Sequence, residues 1–449
     1  MFGKKRLLSA VLIAGLLSVL LSGCGSKGTT PMNTDKWRED IEYLASELPQ
    51  KHVDPFYVLS EAEFNDRVER LKSSLDTMNE DQIRVEIQKL AAALGDAHTG
   101  TNISAGRMYP VELCYFVDGW YVISTLRDYE QILYGRLTAI NGHDMDDVYA
   151  KLSEVISHEN SAWLKAQMRY YLMIPSVLRG IGIIDDTEDI AFSFETRDGA
   201  PVDLDLSPVN FSDVKDDIVG QETEESELPL YRRNAGQNYW FEYLDGHNAL
   251  YFKYNLCREM EDKHFGDFTQ TLLHALDDKA VDKLIIDLRD NGGGNEQLLF
   301  PFMYAVSQSR FNREGKLFVI VGRQTFSSGV RNAVTLRKKT SAIFIGEPTG
   351  GKPSHFGATD SFHLPNSGIT VNYSTMDLTH VILDDRVLAD PSVFADDPAA
   401  LEELQESIRK DPDALIEDTP SLMPDEIIEI SVQEYIDHQD PVLQYALKY

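Results

Sequence analysis

Between residues 283 and 347 three apolar runs, KLIIDLR, KLFVIVG and SAIFIGE, alternate with two stretches of helical character. Unbroken apolar runs of this length suit strands buried on both faces. Strand, helix, strand, helix, strand in that order predicts a parallel sheet, and so an α/β core. The core is expected over residues 237–385, opened by the strand NALYFKYN. In an open parallel sheet functional groups collect beyond the carboxyl ends of the strands. Three loops leave that edge here: DNGGG, TFSSG and PTGGK.

The third loop contains GEPTGGK, in which Gly346, Gly351 and Lys352 fit most of a nucleotide-binding P-loop. That motif needs a Ser or Thr after the lysine to hold Mg²⁺, and a helix whose N-terminus receives the phosphates. The next residue is Pro353, and SHFGATDSFHLPNSG beyond it has no helical period. The phosphate reading therefore fails, and the lysine needs another role.

Each loop brings something that acyl transfer requires. Gly292, Gly293 and Gly294 leave backbone N–H groups unshielded and able to point at an oxyanion. Ser327 and Ser328 put a hydroxyl at the start of a helix, whose dipole favours negative charge. A serine needs an adjacent base, and a desolvated lysine is one solution. Taken singly, these pieces have plainer readings: a helix cap for the serines, a turn for the glycines, a solvated surface charge for Lys352. The functional reading rests on their occurring in order on consecutive strand ends.

At these residues the sequence resembles the tail-specific, or C-terminal-processing, serine peptidase family. KLIIDLRDNGGG is similar to that family's strand ending in D-L-R-x-N-x-G-G, and TFSSGV with IFIGEPTGGK to its serine and lysine loops. The resemblance implies a core of the ClpP and crotonase kind, often with a PDZ-type domain beside it. Carried over by position, Ser327 would be the nucleophile and Lys352, 25 residues on, the base. The backbone N–H groups of Gly293 and Ser328 would form the oxyanion hole, with no metal or cofactor required. Two departures stand out. The family's glutamine four residues after the lysine is Phe356 here, and LGDAHTG resembles the histidine loop of the tricorn-core branch, which makes His98 a second candidate base. The acid that would complete the tricorn arrangement has three candidates by position: Asp377, Asp384 and Asp385.

The rest of the chain supplies context. Lys4, Lys5 and Arg6 precede an apolar run from Leu7 to Leu21, the pattern of a secretory leader and short for a membrane span. The run ends in Leu21-Ser22-Gly23-Cys24, which resembles the lipobox of bacterial lipoproteins. That resemblance implies a lipid on Cys24, a tether over 25–34 and a place on the outer face of the cytoplasmic membrane. Net charge is −31, and −34 once the three leader cations are removed. Such a surface repels phosphate backbones, so nucleic acid is not an expected partner. Cys114 and Cys257 sit in strand-like stretches and are expected to be buried, with a disulfide between them left open.

Residues 35–108 read as helices. Trp37, Ile41, Leu44 and Leu48 share one face, Ser60 with Glu63 and Asn79 with Gln82 are capping boxes, and Gly95 ends the third helix just before His98. Residues 109–211 read as mixed strands. GRLTAINGHDMDDVYAKL within them looks like the later part of a PDZ-type domain. An acidic linker is expected over 212–236 and a C-terminal extension over 386–449. The expectation is a serine peptidase acting on unfolded or C-terminal polypeptide segments. The alternative is a non-catalytic lipoprotein that keeps the fold and binds peptides or cell-envelope components.

Overall fold

The computed structural model describes residues 32–103, 106–220, 224–278, 281–395, 397–416 and 418–449. The leader and Cys24 lie outside the described residues. Among the described residues no helix is long and apolar enough to cross a membrane.

Three helices open the described residues: α1 (Thr34–Lys51), α2 (Glu61–Ser74) and α3 (Glu80–Ala92). Both predicted capping boxes form, Ser60 with Glu63 and Asn79 with Gln82, each satisfying two N–H groups that the first turn would leave bare. The chain then turns at Gly95, whose φ of +70° suits a residue without Cβ, and passes through His98 into the short strand β1 (Gly100–Thr101).

An antiparallel sheet follows, with β2 (Val111–Phe116), β3 (Gly119–Leu126), β4 (Arg136–Ile140), β5 (Ile190–Glu195) and β6 (Pro201–Leu206) side by side in that order. Asn141 (φ +49°) and Gly142 (φ +80°) make the predicted turn after β4 and lead into the helix Met145–Ser153. Helix α4 (Ser161–Tyr171) lies between β4 and β5 in sequence and packs into the same core through Leu164 and Met168. The stretch expected as a free linker over 212–236 is partly docked. Ile218–Val219 pairs with β3, and Leu230 enters a core beneath the main sheet. An apolar pair inside an acidic stretch gave too little periodicity to announce a strand.

The main sheet has β7 (Tyr239–Leu244), β8 (Ala249–Tyr254), β9 (Lys283–Asp287), β10 (Leu317–Val321) and β11 (Ile343–Gly346) as neighbours in that order. From β8 to β11 the strands are parallel; β7 runs antiparallel at one edge. Helices α5 (Phe265–Asp278), α6 (Phe300–Ser307) and α7 (Ser328–Lys339) connect them. Both faces are covered. In β10, Leu317, Val319 and Val321 join the helices' core, while Phe318 and Ile320 face the other way. That second face is closed by the last helix of the chain, Pro441–Lys448, through Val442, Leu443 and Ala446. The unbroken apolar runs are therefore explained by double-sided burial, and the C-terminal extension packs on the sheet.

After β11 the chain forms a hairpin, β12 (Phe356–His363) and β13 (Thr370–Asp377). Its residues Leu364, Ile369, Val371 and Tyr373 share one core with α1, α2 and α3. Gly100 of β1 pairs with Asn372 of β13. The helical region and the parallel-sheet core are thus joined through this hairpin, which is how the loop carrying His98 reaches the sheet edge.

Candidate active site

The three loops at the carboxyl edge are laced together by their own backbone. Phe326 N–H donates to Asn291 C=O at 2.9 Å, and Gly351 N–H to Thr325 C=O at 2.9 Å. Thr325 Oγ1 donates to Leu288 C=O at 2.8 Å, and Ser328 Oγ to Gly294 C=O at 2.6 Å. Ser328's hydroxyl is thereby committed, which leaves Ser327 as the candidate serine of this loop.

Ser327 stands at the entrance to α7 with φ +50° and ψ −127°, a conformation costly for a residue with a Cβ. Its side chain makes no capping hydrogen bond to the helix, which sets aside the plainer reading of the serine as a cap. Gly293 packs directly against it: a Cβ there would lie 2.7 Å from Ser327 Cβ and 2.9 Å from Ser328 N. With φ +101° as well, position 293 admits only glycine without strain. One expectation is corrected at this loop. The Gly293 N–H does not stand free for an oxyanion but donates to Asn291 Oδ1 at 2.9 Å. Asn291 is fully buried, and its carbonyl oxygen takes the nearest donor, two residues on. Among the described residues Ser328 N–H has no acceptor, and it lies at the positive end of α7.

Lys352 is held by an aspartate from the C-terminal region. Its Nζ is ion-paired with Asp418 Oδ1, and the same aspartate accepts from Tyr57 Oη at 3.3 Å. The Lys352 ammonium lies 5.5 Å from the centre of the Tyr57 ring. The backbone of this loop comes close to Ser327: a Cβ on Gly351 would sit 3.2 Å from Ser327 N.

His98 packs on the serine loop. Its ring stacks on Phe326, the residue before Ser327, with centroids 4.5 Å apart and planes 26° apart. Both ring nitrogens are buried and unbonded, and Nδ1 is 3.7 Å from Asp96 Oδ1. Among the described residues no hydrogen bond joins His98 to Ser327.

Asp96 was missed as a site residue although it lies within LGDAHTG. It is fully buried, and its Oδ2 accepts from His52 Nε2 at 3.0 Å, Thr99 Oγ1 at 2.5 Å and Ser374 Oγ at 2.6 Å. Asp54 N–H donates to His52 Nδ1 at 3.0 Å, so the His52 proton sits on Nε2 and is given to Asp96. Burial alone would raise the Asp96 pKa; its interactions with His52, His98 and Ser374 overcome this and hold it well below the usual carboxylate range. The result is a fixed negative charge beside His98. The three acids suggested by position are engaged elsewhere. Asp384 binds Arg386, Asp385 binds Lys339, and Asp377 accepts from Thr379 N–H.

The segment Glu159–Trp163 was also missed. Asn160 Nδ2 donates to Gly350 C=O at 2.9 Å and Pro420 C=O at 2.6 Å. Trp163 stacks on Phe326 with centroids 3.8 Å apart and planes 6° apart. Glu159 lies against the backbone of Ala97 and Lys352; burial, then the Asp96 charge, push its pKa up to about 8. Cys114 and Cys257 are free thiols, and burial pushes Cys257 up to about 12, so neither competes as nucleophile.

The fold recurs in a known architecture. The structure of mature CPAF superposes with a TM-score of 0.60 at 13% identity, over 92% of this chain and 96% of that one. CPAF complexed with lactacystin gives 0.59 at 12% identity, over 92% and 97%. The chain shares its fold with CPAF. The likeness to CPAF is not confined to the parallel sheet, because 92% of this chain takes part. No family model and no curated protein matches the sequence.

Proposed function

We propose that this protein is a serine peptidase of the tail-specific family, hydrolysing peptide bonds in unfolded or C-terminal polypeptide segments. The observation that carries the reading is Ser327, held strained and uncapped at a helix N-terminus with His98 stacked on the preceding residue. Strain of this kind persists only where the surroundings over-determine it, and such positions cluster at active sites. The shared fold with CPAF and the serine and lysine loops of the family point the same way.

In this mechanism His98, not Lys352, is the base. The Lys352 ammonium is engaged by Asp418, whereas the His98 ring lies against Phe326, the residue before Ser327, with an ionised aspartate at its Nδ1 edge. Ser327 Oγ attacks the carbonyl carbon while His98 takes its proton, and Asp96 stabilises the resulting imidazolium. The oxyanion rests on Ser328 N–H, aided by the α7 dipole. His98 then protonates the leaving amine, and water releases the acyl-enzyme with the histidine as base again.

The test compares the parent with Ser327→Ala, His98→Asn and Lys352→Met on an unfolded protein, following new N-termini. Ser327→Ala is expected to cleave nothing, and His98→Asn to lose on the order of 10²–10⁴-fold. Lys352→Met should stay within about tenfold of the parent, since removing a general base costs far more than that. Equal traces of cleavage by parent and Ser327→Ala would hand the site to a peptide-binding role. We further propose that a lipid on Cys24 holds the enzyme at the outer face of the membrane. Radiolabelled fatty acid should enter the parent and not Cys24→Ser; equal labelling of both would remove the anchor.

A further inference from the structure

A general base has to hold one ring orientation, and a hydrogen bond from Nδ1 to a carboxylate commonly provides it. His98 lacks that bond: both ring nitrogens are unbonded and Asp96 Oδ1 stays 3.7 Å from Nδ1. Histidine χ2 is a broad torsion, so the ring's own rotamer preference does not fix its plane. The faces of the ring, by contrast, are occupied. Phe326 stacks at 4.5 Å and His355 at 5.4 Å, the latter only 9° from parallel. Trp163 continues the run on Phe326 at 3.8 Å. Four rings from four separate chain segments therefore lie in near-parallel sequence, with His98 between two of them.

His355 is itself held rigidly. Its Nδ1 lies 2.7 Å from Lys352 C=O, which only accepts, so Nδ1 carries the proton and Nε2 is a bare lone pair. The backbone is pinned too, since Leu378 N–H donates to His355 C=O at 2.9 Å. The residue is 4% exposed and its Nε2 has no partner, an arrangement that a core histidine kept only for packing would not need. Burial first, then the charges of His98 and Arg331, drive its pKa down to about 3, so the ring stays neutral and adds no charge beside the base.

We infer that His355 is a positioning residue whose ring face orients the His98 imidazole toward Ser327. This rests on the reading of His98 as the base. The lysine loop then contributes through its position, carrying His355 to the His98 ring.

The experiment measures kcat and KM for the full chain, for His355→Phe and His355→Leu, and for Ser327→Ala and His98→Asn as controls. Phenylalanine keeps a flat ring and loses the Lys352 hydrogen bond; leucine loses the plane. His355→Phe is expected to keep kcat within about threefold, and His355→Leu to lose about 10–100-fold in kcat with KM nearly unchanged, the scale on which misplacing a catalytic group acts. Histidine NMR provides a readout independent of turnover: the His98 ring-proton shifts should stay near the parent's in the Phe variant and move toward unstacked values in the Leu variant. Should His355→Leu fail to fold, His355→Met takes its place, being of similar volume and without a plane. A His355→Leu enzyme with parental kcat overturns the inference while leaving Ser327 and His98 standing. So does an equal loss in the Phe and Leu variants, which would make the Lys352 hydrogen bond the operative contact. A parent no more active than Ser327→Ala removes the peptidase reading, and the positioning role falls with it.

Discussion

Replacing Glu159 with glutamine tests the electrostatics of the site without touching the proposed nucleophile or base. The Glu159 side chain is half-buried, but its Oε2 is fully buried and unbonded, between the backbones of Ala97 and Lys352. Burial is the main cause of its raised pKa and the Asp96 carboxylate the second; the Lys352 charge and the N–H groups of Lys352 and Ala97 offset part of the rise. The acid moves from an ordinary 4.5 to about 8. In that interval the folded protein keeps a proton that the unfolded chain has lost. Stability from this group is therefore whole below pH 4.5, falls as pH rises, and levels off beyond about pH 8. At 1.36 kcal/mol per pH unit the loss is at most about 5 kcal/mol. Glutamine keeps the shape and stays neutral. Near pH 5 the variant should match the parent, and by pH 9 it should be the more stable of the two by up to that amount. Urea unfolding of both proteins at pH 5, 6.5, 8 and 9 gives the difference directly, and groups common to both cancel. A difference that is the same at every pH would mean that Glu159 is already ionised, and the account of its burial would be wrong.

Two other substitutions probe the frame around the site. Ser327→Gly should be more stable than Ser327→Ala by about 1–3 kcal/mol, because glycine tolerates the φ of +50° that alanine does not; equal urea midpoints would show that the backbone there is unstrained. Arg289→Met should cost about 3–5 kcal/mol, since Arg289 Nη2 bonds Asp440 Oδ2 at 2.9 Å and Nε bonds Asp287 Oδ1 at 3.1 Å in a buried cluster, and both acids would be left under-paired. A loss below about 1 kcal/mol in the same assay, the range of exposed pairs, would show that water compensates there.

Much of the frame was legible in the chain because it is written in local patterns. Capping boxes at Ser60 and Asn79 are bonds between residues three apart, and the apolar runs that became β9, β10 and β11 report double-sided burial directly. The serine loop followed from its place after a buried strand. Where reading failed, the deciding contact joined residues far apart. Asp96 stands two residues from His98 in a motif already singled out, yet its role depends on Ser374, 278 positions on. Glu159 and Trp163 carried no signal of any kind, since a helix-start tryptophan reads as packing until Phe326 is seen beneath it.

Sequence by itself determined the parallel α/β core, the order of its three edge loops and the short set of groups from which a nucleophile and base had to come. Periodicity and turn chemistry fix these, because they depend on which faces a segment must hide and how its nearest backbone groups are bonded. Tertiary structure decided where each member of the set lies. Lys352 is turned aside by Asp418, 66 residues later, and His98 is brought in through the pairing of Gly100 with Asn372 and sandwiched by Phe326 and His355. A long side chain at a loop has several directions open to it at nearly equal local cost. Only the partner that packing places within reach selects one, and that choice is not encoded in the residues beside it.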